Sequence, residues 1–215
     1  MPKTLQASIS CIQCHQPFRT TFQNVVDAQQ DPQGKMRLLT GQLNLAQCPN
    51  CGAPNTMMTP MVYHDASKEL LITFVPMELG LPKEAQEKTI GDLVRGVTSE
   101  LPQGAFKAYL LQPRQALTMQ GLIDQVLQAD GVTPEMMEAQ RARVRLIESL
   151  LETADEEIPA LVKENDAQID SQFMQTISLL AQRMLQEGRQ GIAERLVLLQ
   201  NLIVESSTFG QQLME

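Results

Sequence analysis

Two regimes of hydrophobic spacing meet near residue 80. Before it, apolar positions alternate, as strands with one covered face require. Leu5, Ala7, Ile9 and Cys11 share one parity; so do Phe18, Thr20 and Phe22, and again Met57, Thr59, Met61 and Tyr63. The polar stretch Asp65-Ala66-Ser67-Lys68, followed by the run Leu70-Leu71-Ile72-Thr73-Phe74-Val75, predicts a hairpin of residues 57–64 and 69–75. Between the early and late strands, Asp31-Pro32 precedes Met36, Leu38, Leu39 and Gly41. Asp as N-cap, Pro at the first helical position and Gly past the end predict a short helix.

Pro76, Gly80 and Pro82 break the chain and mark the expected domain boundary. Beyond them the spacing is helical. Ile90, Leu93, Val94, Val97 and Leu101 form one stripe, stopped by Pro102; Leu122, Ile123, Val126 and Leu127 form another, ending at Gly131. Thr133-Pro134-Glu135 restarts a helix whose stripe is Met137, Val144, Ile147 and Leu151, interrupted at Pro159. Ile169, Phe173, Ile177, Leu180 and Met184 continue to Gly188, and Ile192, Leu196, Leu199 and Ile203 complete the last helix. The final two stripes predict an antiparallel helical hairpin.

All four cysteines fall in two C-x-x-C pairs, Cys11-Ile12-Gln13-Cys14 and Cys48-Pro49-Asn50-Cys51. Two residues between thiolates let one tight turn present both sulfurs to a tetrahedral ion, so the four cysteines are the expected ligands of one structural Zn²⁺. Gly52 suits a left-handed backbone that turns amides toward the sulfurs. The interval of 33 residues between Cys14 and Cys48 is longer than usual, and the short helix fills it. Three readings compete: Cys14-His15 completes C-x-x-C-H, the haem-attachment pattern; each pair also has redox-dithiol spacing; and four unligated core thiols would make the strict pairing accidental. Haem leaves the second pair unexplained, and no βαβ pattern surrounds either pair. His15 is expected at the surface or behind the ligands, and His64, beside a turn, is expected to be exposed.

Composition narrows the function classes. Hydrophobic residues make up 43% of the 215 residues, enough for a core, but aromatics only 4% with no Trp, which disfavours base or sugar stacking. Residues 1–82 carry five Lys/Arg and five Asp/Glu, so the net charge of -8 lies entirely in the remainder. Neither half attracts phosphate backbones in general. No run of 18 apolar residues exists and no apolar leader opens the chain, so the expected location is cytoplasmic. There is no G-x-S-x-G, Walker loop or H-E-x-x-H. Arg141, Arg143 and Arg145 read as surface ion-pair partners of Glu138 and Glu148, Asp155-Glu156-Glu157 as a solvated helix start, and the twelve methionines as core packing or an adaptable partner surface.

The segments Cys11-x-x-Cys14, Asp31-Pro32…Leu38-Leu39-x-Gly41-x-Leu43-Asn44, Cys48-Pro49-Asn50-Cys51-Gly52 and Tyr63-His64-Asp65…Leu70-Leu71…Phe74-Val75-Pro76 resemble the CpXC family over about residues 8–130. The second pair has the C-P-x-C form; the first has Ile12 in place of the proline. The resemblance implies a metal-binding fold and no assigned catalytic activity.

The expected fold is therefore α+β: a zinc-ribbon-like domain over 1–80 and an all-helical domain over 83–215. The expected function is that of a zinc-binding scaffold or adaptor without catalytic residues, contacting a protein partner or further copies of the chain. A nucleic-acid or transcription-associated ribbon is the alternative, and it needs a basic face that the charge count does not supply. Membrane contact is not expected.

Overall fold

The computed structural model describes residues 4–214 and is α+β, with strands confined to the first part of the chain. Two compact units divide between Val132 and Thr133.

The first unit holds three small sheets. Strands β1 (Thr4–Ser10) and β2 (Pro17–Gln23) form an antiparallel hairpin whose pairs Leu5–Phe22, Ala7–Thr20 and Ile9–Phe18 share one face, as the alternation predicts. After β3 (Val25–Asp27) comes α1 (Pro32–Leu39), the expected short helix: the Asp31 carboxylate caps the Gly34 amide at 2.8 Å, and Pro32 opens it. Strands β4 (Leu45–Gln47) and β5 (Pro54–Thr56) form a second small hairpin. The expected hairpin after it is β6 (Met61–Asp65) with β7 (Leu70–Phe74), so Met57 and Thr59 lie before the strand rather than in it. Next are α2 (Lys83–Thr98), β8 (Arg114–Ala116) and α3 (Met119–Ala129).

The strands β3, β6, β7 and β8 lie in that order in one mixed sheet. The two outer strands run parallel to their neighbours and the central pair is antiparallel. Every residue of β6 and β7 is buried, because both faces of the sheet are covered. Met61, Tyr63, Leu70, Ile72 and Phe74 face a core completed by Leu38 of α1 and by Leu122 and Val126 of α3. Val62 and Leu71 face Leu93 and Val97 of α2 and Leu110.

This packing corrects the expected boundary at Pro76–Pro82. Those residues form a turn, but the helix after them does not begin a new body. It returns to cover the sheet, and the chain then adds β8 beside β7 before leaving. The first unit therefore spans 1–132, and the helical unit spans 133–215 rather than 83–215.

The second unit contains α4 (Pro134–Glu152), α5 (Ile158–Glu164), α6 (Ser171–Gln186), α7 (Gln190–Ser206) and α8 (Thr208–Met214). Thr133 and Asp170 cap α4 and α6 through the Met136 and Phe173 amides. Helices α6 and α7 pair as the expected hairpin around the fully buried Phe173, Ile177, Leu196, Leu199 and Ile203. Pro159 sits in the first turn of α5, so the expected interruption is a helix start. Arg141 and Arg145 both reach Glu138, so Arg145 does not use Glu148 three residues on, and Arg143, which points elsewhere, pairs with Asp170 at 3.2 Å.

Candidate metal centre

The two C-x-x-C pairs occupy the tips of the β1–β2 and β4–β5 hairpins, and both tips close in the same way. In the first, the Cys11 amide donates to the Gln16 carbonyl at 3.0 Å and the His15 amide to the Cys11 carbonyl at 3.0 Å. In the second, the Cys48 amide donates to Ala53 at 2.9 Å and the Gly52 amide to Cys48 at 2.8 Å. Each turn needs a left-handed residue directly after its second cysteine. Gly52 takes φ of 73° freely; His15 takes 58° and stands exposed, as one of the few side-chain types that tolerate that region.

The turns face each other. All four Sγ atoms lie within 4.8 Å of one another. Cys11 and Cys51 approach to 3.6 Å, as do Cys14 and Cys48, and none of the four is in a disulfide. Sulfurs held ~2.3 Å from a common tetrahedral ion stand about 3.8 Å apart, so this donor set fits a metal ion. Cys11 and Cys48 are buried with Ala53, and Cys14 and Phe18 pack against them; Cys51 is exposed. The convergence uses both pairs at once, which the haem-attachment reading of Cys11–His15 does not.

The electrostatics point the same way. The Cys14 amide, seconded by that of Gln13, draws the Cys11 thiol down to about 6 despite burial. The Gln16 amide and the Asn50 carboxamide lower Cys14. The Ala53 amide favours a Cys51 thiolate as well, but burial and hydrogen bonds with the other three sulfurs outweigh it and push that thiol up to about 12. Four sulfurs this close do not all ionise unless a cation sits among them, and a divalent ion supplies that charge.

Two asparagines give the sequence no signal of their role. Asn55 is 2% exposed and lies between the two turns. The Asn50 carboxamide donates to Cys14 Sγ at 3.6 Å. At the base of the arms, the Asn44 side chain accepts from the Gln23 amide at 2.7 Å and donates to the Gln23 carbonyl at 2.9 Å, fastening the second hairpin to the end of the first.

A second polar cluster lies apart from the sulfurs. His64 is 1% exposed, against the expectation of exposure. It sits in a central strand covered on both faces, so proximity to a turn does not bring it to solvent. Its Nδ1 is 2.7 Å from Asp27 Oδ2, beside it on the parallel strand β3, and its Nε2 is 2.8 Å from the Tyr109 hydroxyl. Burial raises the Asp27 carboxyl, but hydrogen bonds from His64 and the Gln30 and Gln29 amides overcome it and hold it below the usual range. The Asp27 carboxylate accepts a hydrogen bond from Nδ1–H, and the Tyr109 hydroxyl pairs with Nε2. Every polar atom of the imidazole is thereby paired. Tyr109→Phe leaves Nε2 buried without a partner and is expected to cost about 1–3 kcal/mol, read from the urea midpoint; an unchanged midpoint would show that the hydroxyl contributes nothing.

The fold and the sulfur cluster define an α+β protein with a four-cysteine, ribbon-type centre able to hold a metal ion. The model of the family described as CpXC protein matches residues 9–141, and the chain belongs to that family. The match runs past Pro76–Pro82 through the helices that cover the sheet. No curated protein matches the chain, and no solved structure does. No helix among the described residues is long and apolar enough to cross a membrane.

Proposed function

We propose that Cys11, Cys14, Cys48 and Cys51 bind one Zn²⁺ and that the chain is a structural adaptor rather than an enzyme. The observation that carries this is the convergence of four unpaired thiols from two equivalent turns, a donor set that suits Zn²⁺ and fills its tetrahedral shell. A filled shell keeps no position for water or substrate, so the ion's work is to hold the two arms together.

The adaptor part rests on the absence of an open coordination position, and the helical unit offers exposed apolar side chains, Leu179 and Leu185 on α6 and Val197 and Leu198 on α7, for a protein partner to cover. Nucleic acid is disfavoured by the net charge of -8, and three cations of the first unit are engaged by carboxylates: Lys35 and Lys68 reach Asp130, and Arg37 reaches Asp31.

Elemental analysis of the purified full chain should give about one zinc per chain. A different resident metal would overturn the zinc assignment. A metal-free protein with both hairpins intact would overturn the site itself.

A further inference from the structure

The two cysteine turns are not held together by sulfur alone. Asn55 pairs with Ala46 across the β4–β5 hairpin, yet its side chain reaches into the first turn. Its Oδ1 accepts the Ile12 amide at 2.9 Å. Its Nδ2 donates to the Ala53 carbonyl at 2.8 Å and lies 3.8 Å from Cys11 Sγ. The orientation of the carboxamide is fixed by these partners, because the reverse would set oxygen against the Ala53 carbonyl and N–H against the Ile12 amide. The side chain is thus buried with both its oxygen and its nitrogen committed across the gap between the arms.

We infer that Asn55 is a positioning residue of the metal centre: it clasps the first turn against the second and donates a hydrogen bond to the Cys11 sulfur. The inference rests on the metal-binding reading above. The first turn lacks the proline that stiffens the second, having Ile12 where the second has Pro49. Asn55 supplies the missing restraint at that very residue by holding its amide. The N–H···S contact withdraws electron density from a thiolate that would otherwise be crowded by three others. Asn50 makes the corresponding contact to Cys14 from an exposed position, where water can replace it.

The test is the affinity of the full chain for Zn²⁺, measured by competition with a chromogenic chelator, together with the absorption spectrum of the Co²⁺-loaded protein. Asn55→Leu keeps the branched shape and removes every side-chain hydrogen bond. It should still bind one ion, but about 10–100-fold more weakly, as expected when a partner of a metal ligand is lost. Its sulfur-to-cobalt charge-transfer band should move to longer wavelength, because a thiolate relieved of a hydrogen bond gives up its electron more easily; a purely structural role would not move that band. Asn55→Asp retains the acceptor for Ile12 and removes the N–H. It serves where the leucine variant does not fold, and weaker binding with the same band shift is expected. Asn50→Ala should stay within about twofold of the parent chain. Parent-like affinity and an unmoved band in Asn55→Leu or Asn55→Asp would overturn the inference while leaving the metal site standing. A parent chain that takes up no metal would overturn both.

Discussion

Stripping the metal with a chelator, or replacing Cys48 by Ser, is expected to unravel the two cysteine arms and leave the rest of the chain folded. The arms have little else to hold them. The cluster they share consists of Cys11, Cys48 and Ala53, with Cys14 and Phe18 beside it. An isolated two-stranded hairpin is marginal in water, and β4 and β5 have only three residues each. Zinc bound by a small cysteine site contributes on the order of 10–16 kcal/mol of apparent binding energy, far more than these contacts provide. The mixed sheet, by contrast, is buried between α1 and α3 on one face and α2 on the other, and neither core contains a cysteine. Hydrogen exchange should therefore lose protection over residues 4–23 and 45–56 while β6, β7, α6 and α7 keep it. Simultaneous loss of protection in β6 and β7 would show instead that the Asn44–Gln23 contact transmits the collapse into the sheet.

Ending the chain at residue 82 is expected to abolish folding of the first unit, whereas ending it at 132 is not. A chain of 1–82 lacks Leu93, Val97 and Leu110 from one face of the sheet and Leu122 and Val126 from the other. At about 1.5–3 kcal/mol for each buried side chain, these five sum to a value comparable with the whole stability of a domain, 5–15 kcal/mol. The truncation also takes β8 from β7 and leaves an apolar edge open to pairing with other chains. The 1–132 chain should be monomeric, unfold cooperatively and bind the metal, and the 1–82 chain should aggregate. A fragment of 133–215 should be helical alone, since its core of Leu146, Ile147, Leu150, Phe173 and Ile203 lies wholly within it. A soluble 1–82 chain with a cooperative transition would restore the boundary at Pro76–Pro82.

The longer amphipathic helices and the central hairpin, unlike the seven-residue α5 and α8, were legible because each is written in a local period: Asp31-Pro32 and Thr133-Pro134 announce starts, and Leu70 to Phe74 reads as a strand by composition alone. The parallel strands β3 and β8 were not. Each has three residues, too few to show a period, and each earns its place only by pairing with a strand distant in sequence. Pro76, Gly80 and Pro82 do break the chain, but a break marks a turn and not the end of a core.

The amino-acid sequence by itself determined the α+β class, the CpXC membership and the grouping of Cys11, Cys14, Cys48 and Cys51, because caps, alternation and C-x-x-C spacing act within a few residues of one another. Only the tertiary structure decided where the first unit ends, that His64 lies buried between Asp27 and Tyr109, and that Asn55 spans the two cysteine turns. These depend on which surfaces meet, and a residue's burial is set by what covers both faces of its strand rather than by its neighbours along the chain.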